Sequence, residues 1–283
     1  MNSIQSALSA NKGSRLAEIA LMIRYHITDN KLLIVVEGSS DKEIYSCFYP
    51  KEKFEVYFSE KYPGCLGLAD MSKRLSSKYS ERFITIKDAD FDRLDGVCYK
   101  DIPNLFLTDT HDIETMMLTD RFVKQLECDF TVSDVKGKID VAINEISHLS
   151  YIKWMNHKFN SKLNFKNCCK VGSCYKGTEC VSIVQWLGKI NSHPTNAGKK
   201  HFTERDIIDF EQKNLISSDD VLQLVCGHDM VDAIMQKIHT YCQKNISKQS
   251  VSNMMKRCFT VEYYKKTILC DNINRWLLCH NYV

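Results

Sequence analysis

Apolar positions recur every three or four residues through "SRLAEIALMIRYHIT" (14–28), at Leu16, Ile19, Ala20, Ile23 and Ile27, and predict an opening helix. The pattern then changes. "KLLIVVEG" is a short, wholly apolar run closed by Gly38, as in a strand buried on both faces. In "SSDKEIYSCF" Ser40 stands three residues ahead of Glu43, a capping-box spacing that predicts a helix directly after the strand. "FEVYFSE", "RFITIKD" and "NLFLTD" read as three further strands, "CLGLADMSKRLSSKYS" as a helix between the first two of these, and "HDIETMML" as a helix behind the last. Strands alternating with helices predict an α/β fold, a parallel sheet flanked by helices. Beyond about residue 130 the strand patterns stop, and "DVKGKIDVAINEISHL", "TERDIIDFEQKN", "DDVLQLV", "DMVDAIMQKIHTYCQ" and "VEYYKKTILCDNINRWLL" carry helical periodicity. The expected organisation is a sheet-containing domain over 1–130 and a mostly helical domain over 131–283.

Composition sharpens this picture in three places. No stretch approaches 18 uninterrupted apolar residues, and "MNSIQSALSANKGSRL" lacks the apolar core of a signal peptide, so the expected setting is the cytoplasm, with no membrane association. The 13 cysteines are odd in number, in a chain of 283 residues without a secretory signal, and read as reduced thiols, mostly core. Their nearest approach to a zinc pattern, Cys168, Cys169, Cys174 and Cys180, matches neither paired C-x-x-C knuckles nor a His-terminated finger. Net charge is only +3, but it is segregated: residues 1–120 carry 15 Lys+Arg against 19 Asp+Glu, and residues 121–283 carry 23 against 16. Within 151–200 nine lysines accompany a single acid, Glu179, interleaved with Tyr151, Trp154, Phe159, Phe165, Tyr175 and Trp186, a composition suited to a polyanion.

The acids gather where predicted strands end. The first strand ends at Glu37, the third at Asp88 with Asp90 and Asp92 beyond, and the fourth leads through Asp109 to Asp112 and Glu114. In an extended segment Asp88, Asp90 and Asp92 would share one face, about 6.6 Å apart per step, and each neighbouring pair would cost about 2.5 kcal/mol at an effective dielectric near 20. Two things can offset that cost: the water around an exposed turn, or a divalent cation. An EF-hand is excluded, because its Gly falls on Arg93 and its closing Glu on Tyr99. Magnesium suits the pattern, since it takes one or two carboxylates and completes its shell with water and phosphate oxygens. Acids converging from several strand ends can hold one or two such ions against a phosphate undergoing displacement, with Glu37 as ligand or acid/base.

These residues resemble a known family. "LLIVVEGSSDKEIY", followed some fifty residues later by "FITIKDADFD", resembles the TOPRIM domain of topoisomerases, primases, M5-type ribonucleases and OLD-type nucleases, whose hallmark is a strand-end Glu-Gly and a strand-end Asp-x-Asp. Here these are Glu37–Gly38 and Asp88-Ala89-Asp90, within a match spanning roughly residues 30–120, although Ala89 and Phe91 replace the Pro or Gly of many relatives. "TDTHDIETMM" and "CGHDM" are further similar to TOPRIM nucleases that accompany AAA/ABC-type ATPases in phage defence, the PARIS-type systems. The resemblance implies a toxin endonuclease that uses Mg2+, or Mn2+ in its place, and cleaves transfer RNA. It implies an ATPase of the same system that restrains the nuclease until a phage protein triggers release, and a homodimer as the active form. Glu37, Asp88, Asp90, Glu114 and His228 are its candidate catalytic residues, with Asp92 and Asp112 as further metal-site acids.

Alternatives remain at this level. The domain could be a DNA-cutting OLD-like nuclease, or a non-catalytic module that only binds nucleic acid or a partner; a small-molecule phosphotransferase is disfavoured because no G-x-x-x-x-G-K-[ST] cradle occurs. His228 either meets a phosphate or caps a helix, and His111 either orients Asp112 or is solvated. Lys158, Lys162, Lys166 and Lys170 recur every four residues and on a helix would form one stripe, a candidate nucleic-acid contact or a solvated face, although the Asn and Ser among them weaken the helix itself.

Overall fold

A computed structural model describes residues 15–58, 67–165, 171, 175–176, 179–239, 241 and 246–282. Four strands, β1 (Leu32–Val36), β2 (Phe54–Phe58), β3 (Phe83–Lys87) and β4 (Leu105–Leu107), form one parallel sheet in the order β2-β1-β3-β4. Leu33 and Val35 of β1 and Phe83 of β3 pack into one apolar cluster with Ile19 and Ile23 of α1 (Arg15–Ile27) and Leu68, Met71 and Leu75 of α3 (Leu68–Tyr79). Leu32, Ile34 and Val36, on the opposite face of β1, are equally inaccessible, which is why β1 reads as unbroken apolar sequence. Helix α2 (Ser39–Tyr45) starts two residues earlier than the Ser40–Glu43 spacing predicts. Its cap is Gly38, whose N–H donates to Asp41 Oδ2 at 2.8 Å, so the shorter acid does what Glu43 was expected to do.

The chain forms two compact units, each drawn from separated segments of the sequence. The first comprises residues 1–88, 98–109 and 261–283; the second comprises 89–97 and 110–260. The last segment joins the sheet because α12 (Val261–Tyr264) and α13 (Ile268–Cys279) are held there by specific bonds. Asp109, just past β4, accepts from the Ile268 and Leu269 amides at 2.8 and 2.7 Å. The buried Tyr49 and Tyr264 hydroxyls meet at 2.6 Å, and Tyr282 donates to the Glu81 carbonyl. These contacts span more than 150 residues and leave no trace in local periodicity.

The second unit is helical around α6 (Val135–Lys158), which packs against α10 (Gly227–His239) and α8 (Glu204–Lys213). It also contains α4 (Ile113–Met116), α5 (Asp120–Phe130), α7 (Ile183–Ser192), α9 (Val221–Leu224) and α11 (Lys248–Cys258). Helices α5, α7 and α11 lie where no helix was expected, and a two-residue antiparallel pair, β5 (Tyr175–Lys176) with β6 (Glu179–Cys180), stands where strand signals had stopped. A two-residue strand is too short to show a period. Met116 and Met117 are core, as expected. The described cysteines are not mostly core: of these eight, Cys47, Cys98, Cys128 and Cys279 are exposed, and none of the eight forms a disulfide.

Candidate functional site

In the first unit the chain leaves β1 toward β2 on one side, returns through α3 to β3, and continues to β4 on the other side. The strand order therefore reverses between β1 and β3, and at such a switch point the loops diverge and leave a crevice at the carboxyl ends. Glu37 and Asp88 are the residues that follow these two strands; both are half-buried. Tyr45, in the field of Asp88, is fully buried, and its hydroxyl has no hydrogen-bond partner among the described residues. Burial raises its pKa far above the usual phenol range, and the charges of Asp88, Asp41 and Asp109 add to that, so it is a permanent donor. Asp109 is committed elsewhere, as the acceptor of the two α13 amides.

The three-aspartate ladder does not continue past Asp88. Strand β3 ends at Lys87, and Asp90 adopts a left-handed conformation, φ 46°, that an aspartate tolerates better than most residues. Its side chain is thereby turned out of the extended register; Asp90 is exposed while Asp92 is buried. The one-face geometry expected for Asp88, Asp90 and Asp92 is overturned at that single dihedral.

The second unit assembles a group of its own around α4 and the start of α10. Asp112 caps α4, accepting from the Thr115 amide at 2.9 Å through Oδ1, while Oδ2 accepts from the Gly227 amide at 2.7 Å. A side chain at Gly227 would meet Glu114 Cβ at 2.3 Å and Asp112 Oδ1 at 2.4 Å, so only glycine lets the two segments approach. His111 is held by its amide to the Leu222 carbonyl at 2.9 Å and by Nδ1 to the Gln223 carbonyl at 3.2 Å. Its Nε2 faces Asp90 Oδ1 at 4.0 Å, and Asp90 donates its amide to the His111 carbonyl at 2.7 Å. His228 Nδ1 lies 3.7 Å from Glu114 Oε1, with the imidazole largely exposed and the carboxylate largely buried. It occupies the second position of α10 and approaches an acid instead of capping the helix. Neighbouring Asp229 pairs with Lys153, and the Cys226 thiol is pushed up to about 12 by burial, with Asp229 adding to the rise and Lys153 opposing it.

The lysine stripe does not form on one helix. Helix α6 ends at Lys158, and Lys162 has a left-handed φ of 57° in irregular chain. Lys166 and Lys170 lie outside the described residues, as do Cys168, Cys169 and Cys174. Lys158 is already engaged, 3.2 Å from Asp95 Oδ1 and over the Trp154 ring. Sequence reasoning passed over Tyr45, Cys226 and the Lys153–Asp229 pair; only "CGHDM" pointed toward any of them. No protein-family model matches the chain, and no curated protein is similar enough to it to carry an assignment. Among the described residues no helix is long and apolar enough to cross a membrane.

Proposed function

We propose that the chain is a divalent-metal-dependent endonuclease of TOPRIM type, directed at RNA and most specifically transfer RNA, and restrained by a partner ATPase of a phage-defence system. The observation that carries this reading is the placement of Glu37 and Asp88 at the carboxyl ends of β1 and β3, adjacent strands at the point where the strand order reverses. A donor set made only of carboxylate oxygens fits a hard cation such as Mg2+ or Mn2+. The unpartnered Tyr45 hydroxyl, in the field of Asp88, is a buried donor that an ordered ligand at this place would satisfy. In this reading Glu37 and Asp88 hold the ion, which neutralises charge on a phosphodiester during displacement. Glu37 doubles as the acid/base. The RNA preference and the ATPase rest on the sequence resemblance.

The test is cleavage of a transfer-RNA pool by purified protein with Mg2+. Wild type is expected to cut and Glu37→Gln to lose roughly 10²- to 10⁴-fold in rate, because one charged group leaves at constant volume. Equal cutting by Glu37→Gln removes Glu37 from the chemistry. Cleavage of duplex DNA in preference to RNA moves the chain to the OLD-like alternative, and no metal-dependent cleavage of either makes it a binding module.

A further inference from the structure

The second unit joins His111 and Asp112 to Cys226, residues 114 to 115 positions apart, and one ligand-capable atom from each falls within 4.8 Å of the other two. We propose that His111, Asp112 and Cys226 form a binding site for a transition-metal ion of the zinc class. Three features of construction carry this. Two of the donors are fixed from behind, Asp112 by the Thr115 and Gly227 amides and His111 by the Leu222 and Gln223 carbonyls, and Cys226 immediately precedes Gly227, whose amide is one of those bonds. A carbonyl only accepts, so Nδ1 of His111 carries the proton and Nε2 keeps a lone pair; metal-binding imidazoles are oriented in this way, through the other ring nitrogen. Each Asp112 oxygen spends one lone pair on an amide and retains another, and metal-binding carboxylates are ordinarily hydrogen-bonded in just this sense.

The donor chemistry separates this site from the one proposed for Mg2+. An imidazole, a carboxylate and a thiol make an N, O, S set that favours Zn2+ or Co2+ and disfavours Mg2+ and Ca2+, which take oxygen alone. Three protein ligands leave the fourth tetrahedral position for water or for a ligand atom, the arrangement of open zinc sites. On binding, Cys226 gives its proton to solvent and the sulfur–metal bond takes its place, so no oxidant or reductant is required. The inference stands whether or not the chain is a nuclease, because its readout is binding.

The experiment uses the full chain stripped with chelator and titrated with Co2+ as a visible substitute for zinc. Expected are one equivalent of tight binding, a thiolate-to-cobalt charge-transfer band, displacement by Zn2+ but not by excess Mg2+, and a zinc-dependent rise in melting temperature. Cys226→Ser should abolish the band and weaken binding by at least about 100-fold, beyond the 10- to 100-fold typical of losing a group behind a ligand. Because other cysteines are present, a band that survives in Cys226→Ser overturns the site, as does the absence of any band in wild type. Should Cys226→Ser melt early without metal, His111→Gln keeps the thiol and tests the same site through the imidazole, with weakened cobalt binding expected. The thiolate-to-cobalt band should persist in Glu37→Gln, because its sulfur is that of Cys226.

Discussion

At the scale of single residues, Tyr45 is a buried side chain whose hydroxyl folding alone does not explain. A buried hydroxyl without a partner costs about 1–3 kcal/mol, so it persists either as a defect or because something else satisfies it. Tyr45→Phe is therefore expected to raise metal-free stability by about 1 kcal/mol in a denaturant titration, and to raise several-fold the Mg2+ concentration needed for half-maximal cleavage. A loss of metal-free stability would show that the hydroxyl already has a partner. Gly227 and Asp90 make a related point: one tolerates a close approach and the other a left-handed turn, and each redirects several functional groups from a single backbone position.

At the scale of elements, helices α6 and α8 are tied by His148 and Glu211, 2.9 Å apart. The hydrogen bond that His148 donates to Glu211 raises its pKa above 6.5, burial works against that, and the carboxylate charge adds to the rise. A group with a raised folded pKa contributes stability that is fully present below its unfolded value and is lost as pH climbs through the folded value. The second unit should accordingly melt at lower temperature at about pH 8.5 than at about pH 6, and Glu211→Gln should flatten that part of the profile. An unchanged profile in the variant would assign the pH dependence to other groups. The same logic of long-range ties explains why α13 leaves the helical remainder of the chain for the sheet: Asp109 stands at the end of β4 with two α13 amides on its carboxylate.

For the whole molecule, the segregated charge remains the feature that bears most on a polyanionic substrate. Four lysines at four-residue spacing would lower the salt slope of single-strand binding by roughly 2.8 if all met phosphates. Lys158 is already paired with Asp95, so replacing Lys158, Lys162, Lys166 and Lys170 by Gln should lower the slope by about 2.1, three contacts instead of four. The measurement is RNA affinity across a salt series. No change in slope would mean that these lysines face solvent or a protein partner.

Local pattern was sufficient for the parallel strands, the helices between them, and the acids at their carboxyl ends, because burial on both faces writes unbroken apolar runs and strand-end loops write Gly and Asp. Glu37 and Asp88 were legible for that reason. Tertiary structure alone decided which segments share a unit, since residues 261–283 join the sheet through bonds that span more than 150 residues and have no period. It also decided that Asp90 leaves the face of Asp88, a matter of one dihedral, and that His111, Asp112 and Cys226 meet. That last convergence depends on an amide, two carbonyls and the missing side chain of Gly227, none of which a linear spacing records.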